Sequence, residues 1–118
     1  PVPIRTTMFT RVPQLLQFIE HDPLRLTSVT ARFLFATLRL DRRIRRDIAS
    51  LRAPVLLFLA GQDQIVDNAA VQRLFASLPA GQLDVRRYEQ AMHSIQLEHP
   101  DAVAFDISGF LEARFPSW

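Results

Sequence analysis

Two side chains in this sequence have the types and the setting for acid–base chemistry. They are Asp63, in Ala60-Gly61-Gln62-Asp63, and His93, in Ala91-Met92-His93. A carboxylate that orients an imidazole makes a proton shuttle, which turns over a substrate only beside a Ser, Cys or Asp nucleophile. No convincing nucleophile occurs: the chain has no cysteine and no Gly-x-Ser-x-Gly turn. Asp67 is the obvious rival for the acid but reads better as a helix cap. Glu98 reads as structural, binding loop amides or an arginine. His21 and His99 lack a partner pattern and suit surface or capping roles. Glu20, His21 and Asp22 imitate a metal site without a further ligand, so neither a metal nor another cofactor is expected.

The elements that must position the pair follow from apolar patterning. Val55–Ala60 is an unbroken apolar run ended by Gly61, which reads as a strand buried on both faces, as in a parallel sheet. Asp63 then lies just past its carboxyl end, where open α/β sheets place their functional groups. Asp67 can cap a helix whose Val71, Leu74, Phe75 and Leu78 fall on one stripe. Leu83–Tyr88 alternates like an edge strand and leads to the loop that holds His93. Pro100 suits a first helical turn, and Val103, Ile107, Phe110 and Leu111 are the expected buried face of a helix ending near Arg114. Strand, helix, strand, helix is a parallel crossover unit of an α/β fold.

The first fifty residues carry no strand signal. Pro1–Thr10 reads as extended or loop, and Val12–Glu20 as a short helix stopped by His21-Asp22-Pro23. Thr27 or Ser28 can cap a second helix to about Leu40, apolar nearly all round, followed by a basic turn or helix over Asp41–Ser50. Phe18, Phe33 and Phe35 suit either an acyl-binding pocket or ordinary core. Two strands are too few for a stable parallel sheet. The rest of the sheet is therefore expected outside this sequence, which starts at Pro1 without an initiator Met and reads as a processed or excised piece. Its open apolar strand predicts a homo-oligomer when isolated.

Composition narrows the classes. The chain has 118 residues, 48% hydrophobic content and a mean hydropathy of +0.06, as for one small soluble domain. No apolar run approaches the roughly 20 residues that span a bilayer, and no signal-peptide pattern is present. A cytoplasmic location is the expectation. All fourteen basic residues are arginine, and the formal net charge is only +2. The Arg42-Arg43-Ile44-Arg45-Arg46 cluster is flanked by Asp41 and Asp47 and lacks interleaved aromatics, which argues against a nucleic-acid partner.

From Pro54 onward the sequence resembles the C-terminal part of an α/β-hydrolase, closest to the monoacylglycerol lipase, lysophospholipase and serine aminopeptidase-like group. The stretches that carry the resemblance are Pro54-Val-Leu-Leu-Phe-Leu-Ala-Gly-Gln-Asp-Gln-Ile-Val-Asp67 and Tyr88-Glu-Gln-Ala-Met-His-Ser-Ile-Gln-Leu-Glu98. Phe18-Ile-Glu-His-Asp-Pro-Leu24 is similar to the end of that group's helical lid. The resemblance implies that 1–50 is a lid or cap remnant and 51–118 the C-terminal part of the core. It implies Asp63 as catalytic acid and His93 as catalytic base of a serine hydrolase cleaving small-molecule or lipid esters, with the nucleophile upstream. Ser94 stands where this group often has an acidic residue. The 118 residues alone are then expected to be inactive. A haloalkane dehalogenase or epoxide hydrolase with an Asp nucleophile, and a non-catalytic binding domain, remain open alternatives.

Overall fold

The apolar run Val55–Ala60 forms strand β1, and Leu83–Tyr88 forms β2, in a computed structural model that describes residues 1–116. The last two positions of the 51–118 unit lie outside the described residues. The strands pair in parallel from Val55 opposite Leu83 to Ala60 opposite Tyr88, and they make up a two-stranded sheet. With the five α-helices named below, this is an α/β arrangement. The crossover is α3 (Asn68–Phe75), capped by Asp67, whose carboxylate accepts the Ala70 N–H. Val71, Leu74 and Phe75 are half-buried, with Leu78 just beyond, as the stripe predicts, and Asn68 and Ala70 join them.

Burial of β1 differs from the expectation. Only Leu59 and Ala60 are buried, and the first four residues are half-buried, because among the described residues β2 is the one strand beside it. The core gathers at the carboxyl end of the sheet, where Ala60, Ala91 and Ile95 pack with Phe58, Tyr88 and Val103. The short α4 (Ile95–Glu98) and long α5 (Pro100–Arg114) complete this half.

The face of α5 also needs correction. Val103, Asp106, Phe110 and Arg114 are its half-buried stripe, whereas Ile107 and Leu111 are exposed. Polar ties explain the rotation: Tyr88 donates its hydroxyl hydrogen to Asp106 at 2.7 Å, and Arg114 reaches Asp84 at 2.9 Å. Burial together with that carboxylate pushes the Tyr88 hydroxyl up to about 12.

In the first half, α1 runs Pro13–His21 and stops at extended Asp22. The second helix starts later and ends later than the sequence suggests. Thr30 caps it, rather than Thr27 or Ser28, and α2 spans Ala31–Asp47, absorbing the basic cluster. Pairs one helical turn apart, Arg45 with Asp41 at 2.8 Å and Arg43 with Asp47 at 3.6 Å, favour continuation through that stretch. Phe18, Phe33 and Phe35 are exposed (65%, 53% and 66%), so they do not fill a core among the described residues. An open groove of about 380 Å³ lies at the foot of α2 between Ile44, Ile48 and Leu51. No helix among the described residues is long and apolar enough to cross a membrane.

Two glycines have opposite roles. A Cβ at Gly61 would run into the Glu89 backbone, 2.6 Å from its Cα, whereas Gly109 in α5 faces open space. Gly61→Ala should therefore cost about 1–3 kcal/mol as the backbone is forced apart. Gly109→Ala should stabilise by about 0.5–1 kcal/mol through helix propensity. Denaturant midpoints of the two variants check both signs.

Candidate active site

Two loops leave the carboxyl end of the sheet, and backbone hydrogen bonds bind them together. Gly61 donates to the Tyr88 carbonyl at 2.8 Å and Gln62 to the Ala91 carbonyl at 3.0 Å. The Gln62 side chain adds a bond to the Glu89 carbonyl at 3.3 Å. Asn68 ties the start of α3 to the Ala60 carbonyl at 2.7 Å. Asp63 and His93 follow these ties directly, so their backbones are held close before any side chain is placed.

The two side chains meet. His93 Nδ1 lies 3.0 Å from Asp63 Oδ2. The other carboxylate oxygen, Oδ1, accepts the N–H groups of Ile65 at 2.8 Å and Val66 at 2.9 Å. The Asp63 side chain is 7% exposed and that of His93 33%. Burial works to raise the Asp63 carboxyl, but the Val66 amide, His93 and the Ile65 amide together outweigh it. The carboxyl is held below the ordinary aspartate value. An ionised carboxylate only accepts, so the proton of a neutral imidazole sits on Nδ1 and Nε2 presents a lone pair. Among the described residues, Nε2 has no hydrogen-bond partner. Chemically, this is a histidine held in one tautomer with its basic nitrogen available.

The other candidates are elsewhere. Asp67 caps α3, is 66% exposed and reaches towards Arg73 at 3.8 Å, not towards His93. His21 bonds the Gln17 carbonyl at the end of α1, and Asp22 accepts the Leu24 N–H in a turn. His99 stacks on Tyr88. No cluster of potential metal ligands occurs among the described residues. Glu98 does bind loop amides: its carboxylate accepts Met92 N–H at 2.9 Å and Arg11 N–H at 3.3 Å.

Two residues near His93 carry no sequence signal. Phe9 meets the imidazole in a T-shaped ring contact, with centroids 5.6 Å apart, and Thr10 donates its hydroxyl to Glu98 at 2.6 Å. Both come from the segment expected to be plain loop, which instead contains a 3-10 turn at Thr6–Met8 and two buried threonines, Thr6 and Thr10. A contact 88 positions away leaves no local pattern to detect.

The depressed Asp63 value has a consequence for acid stability. Its contribution is complete above the unfolded-chain value of about 3.9 and disappears as pH falls through the lower folded value. Asp63→Asn should therefore destabilise most above about pH 5 and progressively less below about pH 4. Urea midpoints of parent and variant between about pH 3 and 7 read this convergence.

Residues 1–100 match the family described as serine aminopeptidase, S33. No curated protein matches the chain. The family match covers both the helical first half and the strands that lead to Asp63 and His93. On that match, and with a parallel strand–helix–strand unit of the expected kind, the chain belongs to the serine aminopeptidase S33 family of hydrolases, within the α/β-hydrolase superfamily.

Proposed function

We propose that this chain supplies the acid and the base of a Ser-His-Asp hydrolase acting on carboxylic esters, with lipid esters such as monoacylglycerols or lysophospholipids as the substrate class. The observation that carries the reading is the Asp63–His93 bond through Nδ1, with Nε2 left available. In acyl transfer His93 Nε2 removes the proton of the attacking serine and returns one to the leaving alkoxide. Asp63 holds the tautomer and stabilises the imidazolium, and its two amide bonds keep it ionised for that task. The serine and the oxyanion-hole amides belong to residues outside these 118, since no nucleophile elbow occurs within them. In this reading residues 1–50 are a lid over the core formed by 51–118.

Activity measurements on the full-length protein test the assignment. His93→Ala should remove most p-nitrophenyl ester hydrolysis, and Asp63→Asn should lower kcat on the order of 10⁴-fold. Asp67→Asn should leave kcat near the parent value, because Asn also caps a helix. A dead Asp67 variant would move the acid to that residue, and full activity in all three would end the triad reading. The 118 residues alone should hydrolyse the ester no faster than free imidazole.

A second expectation concerns assembly. One edge of β1 is unpaired among the described residues, and α2 exposes Phe33, Leu34, Phe35 and Leu38. The isolated chain should therefore associate through these surfaces. Sedimentation at micromolar concentration should report a dimer or larger species; a monodisperse monomer would count against it.

A further inference from the structure

We propose that Glu98 is a positioning residue for His93, joining the Phe9–Arg11 segment and the Met92–Ser94 loop into one unit in which Phe9 walls the imidazole. The inference rests on His93 being the base. Glu98 accepts from both segments: Oε1 takes the Thr10 hydroxyl at 2.6 Å and the Arg11 N–H at 3.3 Å, and Oε2 takes the Met92 N–H at 2.9 Å. Thr10 is fully buried, and its hydroxyl uses both capacities, since it also accepts the Val12 N–H at 3.1 Å. On the other side of His93, the Ser94 N–H donates to the Phe9 carbonyl at 2.9 Å. The amides before and after the histidine are thus fixed by partners that are themselves joined through Thr10 and Glu98.

The arrangement answers a mechanical need of the ring. One hydrogen bond, Nδ1 to Asp63, sets the distance of the imidazole but leaves rotation about that bond open. The Phe9 ring, inclined at 76° to the imidazole, stands where it limits that swing. Phe9 holds its place because its carbonyl is bonded to Ser94 and the next residue is clamped by Glu98. A carboxylate is the one side chain that can accept from all three donors. In Glu98→Gln one of the two acceptor positions becomes an amide nitrogen, which has donors only.

The test uses the full-length protein with p-nitrophenyl acetate and the proton NMR signal of the His93 Nδ1–H. Glu98→Gln and Thr10→Val should each lower kcat about 10- to 100-fold with KM changed less than about twofold, as expected for a misplaced base. Both should broaden or remove the Nδ1–H signal, while Thr10→Ser, which keeps the hydroxyl, should restore kcat and signal. If Glu98→Gln fails to fold, the Thr10 pair decides alone. Unchanged kcat and signal in Glu98→Gln and Thr10→Val, even with a lower melting temperature, would overturn the proposal and leave Glu98 purely structural. So would a Thr10→Ser variant as impaired as Thr10→Val. Activity retained in His93→Ala would instead defeat the assignment of the base. The Nδ1–H signal separates the two failures, because it reports ring placement without turnover.

Discussion

The hydrogen-bond ladder between β1 and β2 does not end with the strands, and the site depends on that continuation. Past Ala60 and Tyr88 the backbones stay bonded through Gly61 and Gln62, which places two loops side by side that are distant in sequence. Buried backbone groups must find partners, and here they find them in each other. Such close approach tolerates no side chain at Gly61, where the Glu89 backbone occupies the space of a Cβ. The separation of Asp63 and His93 is therefore set mainly by main-chain geometry, and their side chains need little further adjustment to meet.

Polar groups contribute more to organisation here than the size of the apolar core would suggest. The buried apolar residues are Leu59, Ala60, Ala91, Met92 and Ile95, and beside them Thr6, Thr10 and Ser94 are buried as well. Each buried polar side-chain atom among the described residues has a partner. Hydrogen bonds fix direction where apolar contact does not, which suits a region that must hold one imidazole orientation. The Arg42–Arg46 stretch is organised differently. Arg43, Arg45 and Arg46 lie against Asp41 or Asp47 on an exposed helix, where such pairs support helicity but add little stability.

Much of this arrangement can be read from sequence because it is local. Asp63 follows an apolar run and a glycine, Asp67 stands one position before an amphipathic stripe, and Pro100 opens a helix. Each signal spans a few residues and each element forms accordingly. The departures have a common cause in partners that patterning cannot see. Burial of β1 depends on how many strands flank it. The face of α5 is chosen by Asp106 and Arg114, which bond Tyr88 and Asp84, and not by counting its apolar positions. Patterning ends the second helix near Leu40 and leaves the basic stretch as a turn or a helix, whereas its own acidic neighbours allow α2 to continue through it. Phe9 and Thr10 are placed by contacts across nearly the whole chain, and nothing beside them in sequence marks the role.

The bond between Tyr88 and Asp106 gives the fold an optical reporter. Tyr88 is the sole tyrosine, so tyrosinate absorbance in this chain has a single source. Its hydroxyl ionises at about 12 when folded, against about 10 for a free side chain. The bond's contribution to stability is complete below the free value and is lost as pH climbs through the folded one. Between those two values a Tyr88 that is still protonated means that α5 is docked on β2, and ultraviolet tyrosinate absorbance marks its release.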